Sequence, residues 1–600
     1  MKLSKIYVLL MVAVAIVACS PSDNSTTNQA EAKAAPAPEP ALVADTVYTN
    51  GKIYTVNEAR PWVEAVAIKD GKIIAVGNAQ EVAAVSGSTT KTIDLNGSFA
   101  MPGIGDAHMH PAMTMPRRAF CALPGSFFEP SNDDIVDALK ECLKTYPKDR
   151  EWVIAGGATF AAMNPETLTR KFLDELIPDR PAYIEDETGG HQMWFNTLAM
   201  EAAGVDRNFV DNPPEAFFDR TDDGDLKGVA NEGAVNPFIN VLPPIDTEIR
   251  KIAIMKLLDE ALEKGITMYG DAYVFEHDLV PYEQLNAEDK IKQHAVLYLK
   301  GNLGTAELTP VQQIEAWWNA HDLPGTKGVK LGMGGSIESV SEALVDGYLP
   351  ESEGKAKDGP LPVDDAVADR NSSPVIPAEQ FAKYMAELDA AGFQVIVHAI
   401  GDGTVRATLD GYEKVIRANG GNRLRHRIDH CSLVHPDDFQ RFVDLDVSCT
   451  IWPPLNAPGN YNLGAIRPVL KDKTWARMYP NRSMKDAGMH LFNHTDGPAA
   501  PVWPWWGMEA SVTRKNPNRP ELEAMGADQA LTVAELIEIY TINTAHALRL
   551  EDVTGSIEEG KFADIIVLNH NLFEIPATEI HKTKIERTLI KGEVVYQANE

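Results

Sequence analysis

The stretch Met101–Pro111, MPGIGDAHMHP, carries two histidines one residue apart at the end of an apolar, glycine-rich run. Residues i and i+2 of an extended strand point to the same face, so His108 and His110 are expected to stand side by side. Two imidazoles in that arrangement can hold one metal ion. A single His-x-His pair among the 15 histidines of a 600-residue chain is weak evidence. The prediction therefore depends on further ligands elsewhere in the chain.

Further candidate ligands end apolar runs later in the chain. His398 lies in VIVHA, His430 ends HRIDH, and Asp496 follows LFNHT. The middle of the chain alternates such β-rich runs with helical stretches, which predicts βα units and a parallel sheet. In barrels built from these units, residues at the carboxyl ends of strands converge on one mouth. We therefore expect these three side chains to meet the histidines of MPGIGDAHMHP.

The amino-acid sequence of these segments resembles that of the amidohydrolase superfamily of metal-dependent hydrolases. The runs PGIGDAHMH, VHAIGDGTV, HRIDHCSLVHPDD and HTDGP are similar to its amidohydrolase-3, or YtcJ-like, branch, from about Ala44 to the C-terminus. The resemblance implies an α/β fold: a distorted (β/α)8 TIM barrel over 102–551, and a small β-sandwich formed by both chain ends, 44–101 and 552–600. More candidate strands are present than a barrel needs, which predicts an insertion near 112–325.

The resemblance also implies a role for each matching ligand. His108 and His110 would bind the more buried metal, which they share with Asp496. His398 and His430 would bind a second metal. Nitrogen and carboxylate donors favour Zn²⁺, with Mn²⁺, Fe²⁺ or Co²⁺ as alternatives, because affinity alone does not select the metal.

Many members of this family bridge the two metals with a carboxylated lysine on the fourth strand, and Lys330 in GVKLGMGGS matches that lysine. The alternative is an ordinary lysine at a strand end. Relatives usually have Asp-Gly-Ser a few residues later, whereas this chain has Gly334-Gly335-Ser336. The sequence thus leaves open whether one or two ions bind per chain.

The implied reaction is hydrolysis of a carbon–nitrogen bond other than a peptide bond, in an N-acyl, formamide-like or cyclic amide. A bound ion lowers the pKa of water to about 7, which gives hydroxide as the nucleophile. Asp496 would be the general base and then the general acid. Asp106 would either orient a ligand or make a strand-end hydrogen bond. The alternatives are ester, lactone or organophosphate hydrolysis or isomerisation on the same metal site, and a lipid-anchored binding protein with a decayed site.

Substrate-binding candidates flank the predicted ligands. His191 in ETGGHQMWFN matches a family segment that reaches the site, and is a candidate for holding the substrate carbonyl. An aromatic wall would suit a hydrophobic or aromatic substrate, although the same rings could pack the barrel rim. The tryptophans concerned are Trp194, Trp452, Trp503, Trp505 and Trp506.

The composition and net charge limit the kinds of partner that the protein is expected to bind. The chain is 44% hydrophobic and 24% charged, as in ordinary soluble globular proteins, and its formal net charge is −31. Nucleic acid and anionic membrane surfaces would repel such a charge. A small-molecule substrate is therefore the predicted partner, and the sequence leaves the oligomeric state open.

The N-terminus predicts export. Residues 1–19 have two lysines, an apolar run and small residues before Cys19, which is typical of a secretory signal. The run Ile16-Val17-Ala18-Cys19 resembles the bacterial lipobox, so Cys19 is the expected lipidation site and the lipid the only membrane contact. Serine at position 20 favours the outer membrane, facing the periplasm. Residues 20–43 are polar and rich in Ala and Pro, as in a disordered tether.

Two smaller patterns complete the sequence predictions. The dipeptides Asn50-Gly51 and Asp70-Gly71 each separate two β-rich runs, which predicts hairpin turns. The remaining cysteines show no C-x-x-C spacing, so a cysteine zinc site is not expected and their pairing stays open. These cysteines are Cys121, Cys142, Cys431 and Cys449.

Overall fold

The computed structural model of the protein describes residues 42–125, 130–160, 163–164, 166–187, 192–211, 216–301, 308–338, 340, 342–349 and 376–598. The predicted signal peptide, Cys19 and nearly all of the predicted tether lie outside these residues. Within the described ranges, no helix combines the length and the apolar character that crossing a bilayer requires.

Eight parallel strands form a nearly closed barrel, which confirms the predicted fold class. The strands are buried along most of their length, as expected for a parallel sheet that helices cover. In barrel order they are Ile104–Met109, Ile266–Val274, His294–Lys300, Gly328–Gly332, Gln394–Ala399, Arg427–His430, Ser448–Ile451 and Leu491–Asn493. The first and eighth strands meet where Asn493 Nδ2 donates to the Gly105 carbonyl at 2.8 Å. The closure makes side chains on these two strands neighbours.

Helices cover the outside of the barrel, and the inserted unit and the terminal sheets carry helices of their own. The helix Thr247–Glu263 begins after Asp246, whose carboxylate accepts from the Ile249 N–H at 2.9 Å, and it buries Ile254 and Leu258 in the main core. Other helices longer than one turn are Pro111–Arg118, Asn132–Thr145, Arg170–Leu176, Thr197–Ala203, Glu276–Ala287, Val311–Ala320, Ala378–Ala390, Asp402–Ala418, Phe439–Leu445, Asn481–Asp486, Pro504–Thr513 and Val533–Glu538. Shorter ones are Ala79–Ala83, Asn236–Ile239, Asp472–Trp475 and Thr544–Ala547.

An inserted unit with its own sheet lies between the first and second barrel strands. Its five strands follow the order Ala216–Arg220, Leu226–Glu232, Gln192–Phe195, Ala182–Asp186 and Val153–Ala158. A disulfide joins Cys121 to Cys142 in this unit, with the Cα atoms 5.6 Å apart. This unit lies in the first part of the range near 112–325 where an insertion was predicted, and the second and third barrel strands follow it in the same range.

The chain ends form two further sheets: strands from both ends build the six-stranded one, and strands from the N-terminal segment alone build the four-stranded one. The six-stranded sheet has the order Glu593–Gln597, Ile585–Ile590, Ile565–Leu568, Phe99–Pro102, Lys52–Tyr54 and Trp62–Val63. The four-stranded sheet has the order Lys72–Gly77, Ala65–Lys69, Thr46–Thr49 and Lys91–Asp94. Buried residues from both sheets, including Tyr48, Val66, Ile53 and Leu589, form one core cluster. The strand Phe99–Pro102 leads directly into the first barrel strand.

One of the two predicted hairpins is confirmed and the other is wrong. Asp70-Gly71 joins an antiparallel pair in which Lys69 lies opposite Lys72. Asn50-Gly51 instead connects strands of different sheets, because the chain turns a corner of the sandwich there. Asn50 has a φ of 55°, and a Cβ atom on Gly51 would lie 2.6 Å from Leu95 Cδ1. The Asn-Gly pair thus supplies the turn conformation without strand pairing.

Candidate metal centre

The histidines of the first barrel strand converge with Asp496. The Nδ1–H of His108 donates to Asp429 Oδ2 at 2.7 Å, so its Nε2 keeps a free lone pair. That Nε2 lies 3.2 Å from His110 Nε2 and 3.1 Å from Asp496 Oδ1. His110 Nε2 is 3.0 Å from the same carboxylate oxygen. Two imidazole nitrogens and one oxygen thus face a common point.

The histidines around this point carry buried nitrogens without hydrogen-bond partners. Among the described residues, His110 Nδ1, His430 Nδ1 and both ring nitrogens of His494 are buried without a hydrogen-bond partner. Such atoms are rare in native proteins, and a bound ion is one physical reason for them. Neutral imidazoles and a carboxylate are also the donors that Zn²⁺ and neighbouring transition metals prefer. The residues present therefore fit a divalent metal ion.

The other predicted ligands join the same cluster. The ring of His430 lies 4.8 Å from that of His108 and 4.4 Å from that of His398, centroid to centroid. His398 Nε2–H donates to the Gly335 carbonyl at 2.7 Å, which leaves Nδ1 as its lone-pair nitrogen. Lys330 Nζ lies 3.2 Å from His108 Nε2. The structure thus brings all the predicted metal-binding residues to one mouth of the barrel.

Two of these residues have unusual backbone conformations. His430 has a φ of 81° and Asp496 a φ of 63°, a left-handed region that is costly for residues other than glycine. The His430 N–H donates to Thr450 Oγ1 at 2.6 Å, and the Asp496 N–H donates to the His108 carbonyl at 3.0 Å. Surrounding hydrogen bonds hold both conformations, as is common at functional sites.

Burial and neighbouring charges set the protonation of the cluster. Burial lowers the pKa of Lys330 to about 8. Burial also lowers the pKa of His430 and of His494 well below the usual value, so both are neutral and able to bind a metal. For Asp496, burial opposes ionisation, but its close contacts with the rings of His108 and His110 hold its pKa well below the usual range. The site therefore combines neutral imidazoles with a charged carboxylate.

Asp106 makes a strand-end hydrogen-bond network. Its Oδ1 accepts from the backbone N–H of Thr495 at 3.1 Å and of His108 at 3.2 Å, and its Oδ2 accepts from the Thr495 hydroxyl. Burial raises the pKa of this carboxyl to about 7. Asp106 therefore ties the first strand to the eighth through the backbone, and of the two predicted roles the structure supports the hydrogen bond.

Sequence analysis missed three residues of this centre. Asp429 accepts from the His108 ring, Glu342 Oε1 lies 3.6 Å from His398 Nε2, and His494 belongs to a cluster of potential ligands with His108 and Asp496. Strand alternation would turn Asp429 away from His430, and Glu342 lies in a loop with no motif. His494 could have been found, because it has the same i, i+2 spacing to Asp496 that singled out the first two histidines.

Arg427 supports the cluster from inside the barrel. Its guanidinium lies between the rings of Tyr298 and Phe492, 4.8 Å from each centroid. It donates to Asp429 Oδ1 at 3.0 Å and to the Ala107 carbonyl at 2.7 Å. Although burial opposes ionisation of Asp429, this guanidinium holds its pKa well below the usual range. Arg427 thus keeps Asp429 charged beneath the His108 ring.

Replacing Arg427 by methionine is expected to lower the free energy of unfolding by about 3–5 kcal/mol, because Asp429 would keep a buried charge without its partner. The measurement is the denaturant midpoint of the purified variant. Arg423→Met is the matched control, since Arg423 is exposed four residues earlier. Equal midpoints for the two variants would contradict this role for Arg427.

The structure places one of the predicted tryptophans beside the centre and the others in hydrophobic packing. Trp452 lies beside the centre, with its ring 5.1 Å from that of His430. Trp194 is fully buried in the core of the inserted unit, where its Nε1–H donates to the Thr169 carbonyl, so it does not line the site as predicted. Trp505 packs in the main core, and Trp503 and Trp506 pack around Ala457 and Ala510. His191 lies outside the described residues.

The open question of cysteine pairing near the site is also resolved. A disulfide joins Cys431, which follows His430, to Cys449 on the seventh barrel strand, with the Cα atoms 6.4 Å apart. Both residues are buried. This link holds the ends of two adjacent strands together beside the cluster.

An eight-stranded parallel barrel with imidazole and carboxylate donors at the carboxyl ends of its strands defines the class of (β/α)8 enzymes with a metal site at the mouth. The family comparison makes the assignment specific. The chain belongs to the amidohydrolase family, which it matches over residues 91–596. It is therefore a hydrolase of this superfamily, as the sequence resemblance implied.

Several relatives align over nearly the whole chain. The YtcJ protein of Bacillus subtilis (strain 168) is 26% identical, covering 92% of this chain and 99% of its own length. The N-substituted formamide deformylase of Arthrobacter pascens is 24% identical, covering 92% and 98%. A solved structure of an uncharacterized metal-dependent hydrolase from Pyrococcus horikoshii OT3 superposes with a TM-score of 0.67 at 21% identity, covering 89% and 99%. That structural likeness supports the fold.

Proposed function

We propose that this protein hydrolyses a carbon–nitrogen bond other than a peptide bond, in an N-acyl, formamide-like or cyclic amide. The observation that carries the proposal is the convergence of His108, His110 and Asp496 within 3.2 Å of one another at the barrel mouth. Family membership agrees with it. The similarity to a formamide deformylase over most of both chains favours the formamide-like substrates.

The metal, for which we propose Zn²⁺, would be held by His108, His110 and Asp496, with His398 and His430 available to a second ion. When bound, it supplies Lewis acidity, which polarises a carbonyl and makes water a stronger acid. Asp496 then accepts a proton from the attacking water at a carboxylate oxygen. It returns that proton to the leaving nitrogen as the carbon–nitrogen bond breaks, which yields an acid and an amine.

An aromatic side chain borders the proposed metal site. Trp452 is nearly buried, and its ring lies 5.1 Å from His430 and 4.9 Å from His494. Its Nε1–H donates to the Thr495 carbonyl at 3.0 Å, which fixes the indole beside the eighth strand. An immobile indole of this kind favours an apolar or aromatic group next to the scissile bond. We therefore include an apolar substituent in the proposed substrate.

A substrate panel tests the proposed reaction. Metal-loaded protein is assayed on N-benzyl formamide, an N-acyl amine and a cyclic amide, beside the ester that is isosteric with each, and formation of the carboxylic acid is measured. We expect turnover of at least one amide class at a higher kcat/KM than its matched ester. Turnover of the esters alone would reverse the proposal in favour of an esterase or lactonase on the same site.

Lys330 is the proposed bridge between two ions. It is 2% exposed, and its Nζ lies 4.0 Å from Asp429 Oδ2 and 3.2 Å from His108 Nε2. As an ammonium it would repel a second cation, whereas carboxylation converts its positive charge to a negative one. That reaction needs the neutral amine, which attacks carbon dioxide and releases a proton. A pKa of about 8, caused by burial, makes this amine accessible near neutral pH.

Lys330→Met is expected to reduce the metal content from about two ions to about one per chain, because the bridging ligand of the second ion is lost. Elemental mass spectrometry of the purified protein measures this. Lys327→Met is the matched control, since Lys327 lies just before the other end of the same strand, over the Phe393 ring. Wild-type protein that carries one ion and loses none in Lys330→Met would contradict the bridge.

The proposed location is outside the cytoplasm, on a lipid anchor at Cys19 in the outer membrane, facing the periplasm. The support is the sequence of residues 1–19 and the polar segment that follows. Fractionation of cells that express the full chain, with a Cys19→Ser variant as control, tests the location. We expect the wild type in the membrane fraction and the variant released from it.

A further inference from the structure

His494 is a buried histidine of this centre to which none of the predicted roles applies. It lies two residues before Asp496, directly after the eighth strand, just as His108 lies two residues before His110 at the end of the first. These strands are neighbours at the barrel closure, where the Asp496 N–H donates to the His108 carbonyl at 3.0 Å. Both segments therefore bring side chains to the same cluster, which includes His108, His494 and Asp496.

The inner and outer side chains differ in their exposure to solvent. The outer side chains, His110 and Asp496, are 11% and 14% exposed. The inner ones are more deeply buried: the side chain of His108 is 1% exposed, and His494 is inaccessible to solvent. His494 therefore lies on the floor of the centre, beneath the carboxylate.

No protein group in the described part of the chain hydrogen-bonds the His494 ring. Among the described residues, neither ring nitrogen has a hydrogen-bond partner, although a neutral imidazole has one donor and one acceptor. Its ring neighbours are Trp452, His430 and His108, at centroid distances of 4.9, 5.0 and 5.4 Å. The indole N–H of Trp452 is already donated to the Thr495 carbonyl. A packing role alone would not require a histidine here.

The positions of the ligand atoms explain the residue type. One ligand atom from each of His494, His108 and Asp496 lies within 4.8 Å of the other two. Ligand atoms bound to one Zn²⁺ at about 2.0–2.2 Å can lie up to about 4 Å apart, so small side-chain adjustments suffice. We propose that His494 is a further metal ligand, which holds the ion shared by His108 and Asp496 from the floor of the barrel. The inference rests on the metal site of the proposed function and not on its substrate.

The test compares Zn²⁺ dissociation constants, measured by competition with a chromogenic chelator. His494→Gln is expected to weaken binding of the tightest ion by at least about tenfold, because even residues that only support a ligand cost 10–100-fold. His490→Gln is the matched control. His490 lies at the other end of the same strand, against Ser448 and His546, and we expect an unchanged constant for it.

A second variant covers the case in which His494→Gln does not fold. His494→Cys replaces one metal-binding atom by another, so the Co²⁺-loaded variant should show a thiolate-to-cobalt absorption band that the wild type and His490→Cys lack. A folded His494→Gln with the wild-type constant, or a folded His494→Cys without the band, would overturn the inference. Wild-type protein that binds no Zn²⁺ would instead refute the metal site of the proposed function itself.

Discussion

Asp496→Asn is expected to lower kcat by a factor of about 10²–10⁴, the usual contribution of a positioned general acid and base. The asparagine amide keeps the shape of the side chain but cannot accept the proton of the attacking water. The Asp496 carboxylate is also the common partner of His108 Nε2 and His110 Nε2, at 3.1 and 3.0 Å. The variant should therefore bind its ion more weakly as well.

Two measurements separate these effects. Metal content is determined first, and the assay is then repeated with Zn²⁺ in excess, so that a remaining loss of kcat reports proton transfer and not ion loss. Asp70→Asn is the control, since Asp70 is an exposed turn residue of the terminal sheets, with a side chain that is 83% exposed. Full activity of a metal-loaded Asp496→Asn variant would remove Asp496 from the mechanism.

Removing the metal is expected to lower the rate of the wild-type enzyme by about a thousandfold or more, since Lewis-acid catalysis supplies several kcal/mol and each 1.36 kcal/mol is a factor of ten. The physical reason lies in the cluster itself. Three atoms with lone pairs lie about 3 Å apart in this cluster, and without a cation only protons can offset the repulsion between them. These atoms are His108 Nε2, His110 Nε2 and Asp496 Oδ1. The assay is performed before and after dialysis against a chelator.

The same experiment has a structural readout. An ion that binds only the folded state stabilises it, so the melting temperature should fall on removal and recover on addition of Zn²⁺. Protein treated with chelator already saturated with Zn²⁺ is the control. Unchanged activity in protein shown by elemental analysis to be metal-free would contradict a metal-dependent mechanism.

The sequence determined which strands form the barrel mouth and most of the side chains at it. Alternating β-rich and helical runs are local patterns, and each predicted ligand stands at the end of one such run, so the convergence of His398 and His430 with the first strand followed from general barrel geometry. The motifs also identified the family. The sequence predicted an insertion near 112–325 without separating its strands from barrel strands, because the two have similar composition.

Only the tertiary structure decided the arrangement around the ligands. The positive φ of His430 interrupts strand alternation, so both it and Asp429 reach the cluster. The inward position of Trp452, the burial of Trp194 and the corner at Asn50 depend on contacts between segments distant in the chain. The depth at which His494 lies in the site depends on the first and eighth strands meeting to close the barrel. Local sequence sets the spacing of side chains along a strand, whereas packing sets which strands meet.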